Sequence, residues 1–220
     1  MENNLTQNLT TLKNLPSSWE VLPFENVVKD VSGGNKKTLK SDFLDEGKFA
    51  IVDQGKALIA GYTNNQEFLV KSSPPYVIFG DHTRVFKYIE VPFAMGADGT
   101  KVLKPIDGRN INEKYLYYFF LTLNIPNTGY NRHFKHLKTV KVPLPPLAEQ
   151  QKIAAILDAA DSLRQKDQQL VDHYTTLSQS LFLEMFGDPV TNPMGWEKVE
   201  FGTVGKLDRG KSKHRPRNAP

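Results

Sequence analysis

The sequence predicts an α+β protein: a globular mixed α/β domain with a β-rich core, followed by one long coiled-coil-type α-helix. Three observations carry that reading. Residues 15–142 are a succession of short β-rich runs broken by Gly, Pro, Asn and Asp clusters. From Ala148 to Phe186 there is neither Gly nor Pro, and apolar residues recur every seven positions. Beyond the helix, the opening of the globular domain is written a second time.

The β-rich runs are Phe49 to Val52, Phe68 to Val70, Tyr76 to Phe79, Val85 to Ile89 and Lys101 to Leu103. Their brevity and turn-rich spacing predict a mixed or mostly antiparallel sheet. One segment departs from the trend. Asn112 is a good N-cap for a helix over Glu113 to Leu123, rich in aromatics and leucine. Leu144-Pro-Pro-Leu147 then ends an extended stretch, because a residue before proline disfavours the helical region.

The long helix reads as a coiled-coil strand. Ile156, Leu163, Leu170 and Leu177 form one heptad row, and Ile153, Ala160, Tyr174 and Leu181 the companion row, interrupted by Asp167. Gly187 and Pro189 stop it. About 40 residues of helix would span ~60 Å, too long to be covered by a compact domain of this size. The chain has no second helix of similar length, so the seam predicts a partner in another chain, foremost a second copy.

The repeat is gapless. Pro16-Ser-Ser-Trp19-Glu20 is echoed by Pro193-Met-Gly-Trp196-Glu197, and at the same offset of 177 Phe24 maps to Phe201, Val27 to Val204, Lys29 to Lys206 and Gly33 to Gly210. The organisation expected is therefore a flexible N-terminus over 1–14, a globular domain over 15–146, a spacer and dimerisation helix over 147–187, and the truncated start of a second domain over 188–220.

Bulk properties narrow the function. The 220 residues contain no cysteine, which excludes disulfides, thiolate metal sites and cysteine nucleophiles, and suits a reducing cytoplasm. No apolar run approaches the ~20 residues of a membrane span. The formal net charge of +4 is unevenly placed. Residues 1–146 hold 18 Lys and Arg against 14 Asp and Glu, residues 147–186 hold 3 against 6, and residues 187–220 hold 7 against 4. A basic body with an acidic helix is compatible with nucleic acid on the body.

The joined set of strings resembles the specificity subunits of type I restriction–modification systems, in which two target recognition domains alternate with long helices. Val142-Pro-Leu-Pro-Pro-Leu-Ala-Glu-Gln-Gln-Lys-Ile153 is similar to the start of that family's central region, and Leu183-Glu-Met-Phe-Gly-Asp-Pro189 with Gly195-Trp-Glu197 to its exit into the second recognition domain. Phe79-Gly-Asp-His-Thr-Arg84 and Gly129-Tyr-Asn-Arg-His-Phe134 resemble strings inside the recognition domain. A full family member has a second complete domain and a second helix, which this chain lacks. The resemblance implies a non-catalytic DNA-reading subunit. It would bind double-stranded DNA and hold methyltransferase subunits, which supply S-adenosylmethionine, and with translocase/endonuclease subunits it would direct restriction. This chain itself would carry no cofactor and no metal.

Candidate DNA contacts follow. Gly129 to Lys141 carries Arg132, Lys135, Lys138 and Lys141 with Tyr130, Asn131, His133 and His136 and no acid, a composition suited to phosphates and base edges. His82, Thr83 and Arg84 read equally as a DNA-contacting loop or as a self-contained turn in which Asp81 and Arg84 pair. Lys36 and Lys37 lie in a glycine loop, and Gln54 and Lys56 in another, where Gln54 could read adenine; each is, taken singly, an ordinary polar turn. No glycine pattern for a nucleotide cradle is present. Ser73-Pro-Pro-Tyr76 resembles the loop with which amino-methyltransferases hold a flipped base, so a methyltransferase in its own right is one alternative and a coiled-coil scaffold the other.

Overall fold

The computed structural model describes residues 15–96, 99–129 and 131–206, so the expected N-terminal lead-in, Tyr130 and the chain beyond Lys206 lie outside the described residues. Two compact units are formed, residues up to Ser162 and residues from Leu163.

The first unit is built on three small sheets. Strand β1 (Glu20–Pro23) pairs antiparallel with β9 (Lys141–Leu144). A four-stranded antiparallel sheet runs in the order β2 (Val28–Asp30), β8 (Thr100–Pro105), β5 (Tyr76–Gly80), β6 (Phe86–Ile89). A third sheet places β3 (Phe49–Val52) between antiparallel β4 (Gly61–Thr63) and parallel β7 (Ala94–Met95). Every residue of β5 is buried, and the period-two alternation of side chains explains how. Val77 and Phe79 enter a core with Phe24, Val27, Leu116, Phe120 and Phe134, while Tyr76 and Ile78 enter a second core with Val52, Phe93 and Val102. The Tyr76-to-Phe79 run is continuously apolar because both faces of its strand are covered.

Helix α1 (Glu113–Leu121) begins as expected, with Asn112 Oδ1 accepting from the Tyr115 amide at 2.8 Å. It ends two residues earlier than the sequence suggests, where the Thr122 hydroxyl donates to the Phe119 carbonyl. One other expectation is corrected. Phe68 to Val70 is not a strand: Asn65 accepts from the Glu67 amide and winds Gln66–Phe68 into a 3-10 turn. The sequence reading also missed β1, β2, β4, β7 and β9, strands of two to four residues that show almost no periodicity.

A one-turn helix α2 (Phe134–Leu137) precedes β9, and the long helix α3 (Leu147–Phe186) follows it. Within the first unit the start of α3 is fastened by buried Gln150, whose Oε1 accepts from Asn112 N at 2.9 Å and whose Nε2 donates to the Pro145 carbonyl at 2.8 Å. Tyr118 donates its hydroxyl to Asp158 Oδ1 at 2.6 Å, and Lys114 meets the other oxygen of the same carboxylate at 2.9 Å.

In the second unit, α3 ends on Gly187, at φ +76°, whose amide donates to the Leu183 carbonyl. Trp196 closes over that terminus, its Nε1 donating to the Phe186 carbonyl at 2.8 Å, and Asn192 brackets the Trp196 backbone with both ends of its amide. A last turn, α4, covers Phe201–Val204.

Candidate nucleic-acid interface

Two strings that lie fifty residues apart in sequence are joined at the end of β5. The Asp81 carbonyl accepts from the His133 amide and from His133 Nδ1, each at 2.9 Å, and Asp81 Oδ1 accepts from the Phe134 amide at 2.7 Å. The Asp81 amide donates to the Gly99 carbonyl at 2.7 Å. With Nδ1 donating, His133 Nε2 is left to accept from the Thr128 amide at 3.3 Å, which fixes the tautomer through the hydrogen-bond network. His133 is fully buried, 0% exposed. It is therefore a structural clamp and not the DNA contact the sequence suggests, because both ring nitrogens are used internally.

The 82–84 loop is also spent on the scaffold. The Thr83 hydroxyl donates to the Gln54 carbonyl, and the His82 amide donates to Gln54 Oε1 at 3.1 Å. Gln54, offered by the sequence as an adenine reader, has its amide oxygen engaged in fastening this loop. Gly80 and Gly99 permit the close approach. A Cβ on Gly99, at φ +89°, would lie 2.6 Å from Gln54 Oε1, and one on Gly80 would lie 2.1 Å from the Thr83 hydroxyl. Arg84, itself at φ +62°, donates from Nη1 to the Ile125 carbonyl at 3.1 Å. The self-contained turn is corrected: Asp81 holds Phe134 and Arg84 holds Ile125 in place of pairing with each other, while the His82 amide and the Thr83 hydroxyl brace Gln54.

What this hub carries outward is basic. Phe134 and Leu137 are buried, whereas Arg132, Lys135, Lys138 and Lys141 are exposed. Lys135 and Lys138 lie three apart, on the same side of the turn. The Lys138 ammonium stands 5.2 Å from the centre of the Phe134 ring. Burial first, then the Lys135 ammonium and the neighbouring His133 ring, push His136 below the usual histidine value. Asn131 is exposed, with its amide nitrogen donating to the Thr128 carbonyl. The remaining candidates, Lys36, Lys37 and Lys56, are exposed, with Lys36 paired to Glu67. An exposed pair of this kind is weak enough to yield to a phosphate.

The sequence reading missed Lys87. It is 4% exposed, its ammonium donating to the Asp53 carbonyl at 2.8 Å and standing 3.7 Å from Asp53 Oδ1. Burial lowers its pKa, with Asp53 opposing. The signal was available: Lys87 shares its strand face with Ile89, an inward position. Its contact holds the loop that carries Gln54. Tyr76, the aromatic of the Ser-Pro-Pro-Tyr string, is 0% exposed, and its ring meets Phe93 edge-on at 5.1 Å. The ring that would stack on a flipped base is a core side chain, which removes the support for that alternative.

Residues 16–171 match the type I restriction modification DNA specificity domain. The chain belongs to that family. Among curated proteins it is similar to the EcoR124I/EcoR124II specificity subunit of Escherichia coli, 26% identical over 155 residues, which is 66% of this chain and 38% of that subunit. Among solved structures its fold is similar to the S subunit of the type I restriction–modification system of M. genitalium. The TM-score is 0.59 at 18% identity, over 84% of this chain and 50% of that one. A second likeness, to a chain from a structure of type I system assembly and conformational transition, has TM-score 0.52 at 21% identity, over 80% of this chain and 49% of that one. The specificity-domain chain described here thus spans half, or less, of the relatives it matches. Among the described residues no helix is long and apolar enough to cross a membrane.

Proposed function

We propose that the chain is a DNA-reading specificity subunit, or half of one, in a type I restriction–modification complex in the cytoplasm. It reads one half-site of double-stranded DNA and leaves chemistry to partners. Adenine methylation would belong to methyltransferase subunits, which bind S-adenosylmethionine, and cleavage to translocase/endonuclease subunits; the chain itself would use no cofactor and no metal. The observation that carries the reading is that the two recognition-domain strings, 79–84 and 129–134, meet in one hydrogen-bonded hub behind an exposed row of cations. Buried groups fix the backbone and leave Arg132, Lys135, Lys138 and Lys141 facing solvent, as phosphate recognition requires. Two copies would associate through the exposed apolar side chains of α3.

The test is salt-resolved DNA binding by the chain with its methyltransferase subunit. Lys135→Ala should leave the fold intact and reduce the slope of log affinity against log salt by about 1, whereas Arg132→Ala should weaken binding by ~1–3 kcal/mol if it reads a guanine. Two variants that bind with unchanged slope and affinity would show that the row is an ordinary solvated face.

A further inference from the structure

Within the first unit, the opening turns of α3 are covered along one stripe. Gln150 and Ala154 are buried and Asp158 and Asp161 half-buried, a spacing that keeps all four on one face of the helix. Polar contacts fasten the stripe at two levels. At the start, Trp19 Nε1 donates to Glu149 Oε2 at 3.2 Å, beside the bonds of Gln150 to the Asn112 amide and the Pro145 carbonyl. Two turns on, Asp158 receives the Tyr118 hydroxyl at 2.6 Å on one oxygen and the Lys114 ammonium at 2.9 Å on the other. Lys114 and Tyr118 are four apart on α1, so one face of that helix supplies both. Lys114 is itself held, 5.0 Å from the centre of the Tyr88 ring and 3.7 Å from Glu90 Oε1.

The inward side of α1 belongs to the core behind the basic row. Leu116 and Phe120 are buried with Phe24 and Phe134. The Phe120 ring lies 5.9 Å from that of Phe24, and Phe24 6.0 Å from Phe134, whose amide donates to Asp81. Close-packed side chains transmit a displacement instead of absorbing it. The direction in which α3 leaves the domain is thus tied, through α1, to the backbone that presents Lys135 and Lys138. The lever is long. A continuous helix of 40 residues is ~60 Å, so a tilt of about 3° at its start moves its far end by ~3.4 Å, one base-pair rise of duplex.

We propose that Tyr118 and Lys114, acting on Asp158, are positioning residues for target spacing: they hold α3 at one angle to the recognition domain, so that a target is accepted at one separation of its half-sites. The inference rests on the half-site reading proposed above. Gln150 alone does not set the angle, because its bonds lie in the first turn and act as a pivot. Asp158 stands eight residues further, ~12 Å along the axis, and restrains rotation about that pivot. Neither Tyr118 nor Lys114 reads a base. The domain reads the half-site and the held angle reads the gap, whether the second half-site is bound by a second copy of this chain or by another domain.

The target methylated in cells carrying the chain and its methyltransferase subunit is first read by sequencing of modified bases. The assembled complex is then titrated with duplexes holding both half-sites, the gap varied one base pair at a time, and with duplexes holding one half-site. The parent is expected to favour one gap sharply. Tyr118→Phe and Asp158→Ala should bind gaps one base pair longer or shorter several-fold better, relative to the best gap, with single-half-site affinity unchanged. Asp158→Asn, which still accepts the Tyr118 hydroxyl, should lie between the parent and Asp158→Ala. Tyr118→Phe combined with Asp158→Ala should be no broader than Asp158→Ala alone, since both remove the same bond. Glu184→Ala, an exposed acid beyond the covered stripe, should keep the parent's preference. A parent indifferent to the gap, an Asp158→Ala preference as sharp as the parent's, or a broadening that comes with weaker single-half-site binding would each overturn the proposal. A parent complex that binds and modifies no DNA would defeat the half-site reading and this inference with it, whereas variants that keep a functional parent's gap defeat this inference alone.

Discussion

At the scale of single residues, the proposed interface divides into side chains that hold the scaffold and side chains that face solvent. Asp81 and His133 hold: they are buried, and their polar atoms bond the backbone of the opposite string. Asp81→Ala would leave the Phe134 amide buried without an acceptor, so unfolding should be easier by about 1–3 kcal/mol in urea titration. Arg132→Ala, at an exposed position, should stay within ~0.5 kcal/mol of the parent in the same titration. Equal stability loss in both would mean that the division is drawn in the wrong place. His136 adds a pH signature. Its folded pKa lies below the usual 6.5 because burial, then Lys135 and His133, disfavour the cation. The unfolded chain takes up a proton as pH falls through about 6.5, whereas the folded chain waits for a lower pH. Stability therefore falls across that interval and levels off below the folded value. His136→Gln should flatten the loss of urea midpoint between pH 7.5 and 5.5, and an unchanged slope would place its origin elsewhere.

At the scale of elements, α3 serves two purposes along its length. Near its start Gln150, Ala154 and Ile153 belong to the first unit, Ile153 half-buried against that core. Ile153, placed by the sequence in the seam, is thus partly covered by the first unit itself. Further along, Ile156, Ala160, Leu163, Leu170, Tyr174, Leu177 and Leu181 are exposed. A row of apolar residues at heptad spacing facing water costs stability unless covered. Leu163→Glu with Leu170→Glu should therefore give monomers by light scattering, with the melting of the first unit unchanged. A parent chain that is itself monomeric at tens of micromolar would remove the proposed seam. The long helix was legible in the sequence because forty residues without Gly or Pro leave few alternatives, and α1 because Asn112 supplies a specific cap. The short strands were not legible, since two to four residues define no period and β1 and β9 exist only by pairing across the domain. The same reason limited the reading of the site. Composition marked 129–141 as basic, but which cations face out depends on Asp81, fifty residues away. The roles of Gln54, Thr83 and Arg84 were set by glycine-permitted approaches that no local pattern announces.

At the scale of the whole protein, the proposed dimer makes a prediction about DNA that no single residue makes. Two identical chains joined by a closed contact are related by a twofold axis. A continuous helix of 40 residues is ~60 Å long, and antiparallel pairing of two would set their recognition domains apart by a distance of that order. One turn of duplex advances ~34–36 Å, so the two half-sites would be separated by more than one helical turn and read from related faces. Because the twofold relates the domains, the half-sites must be inverted copies of one another. The target methylated in cells carrying this chain and its methyltransferase subunit should accordingly be an interrupted palindrome, with the modified adenine at equivalent positions in both halves. Single-molecule sequencing of modified bases reads this directly. In that dimer the helix would also set the gap: inserting one heptad into α3 after Gln168 should lengthen the unread spacer and leave the half-sites unchanged, since the recognition domain is untouched. An asymmetric target, or a heptad insertion that alters the bases read and not the spacing, would defeat the symmetric arrangement.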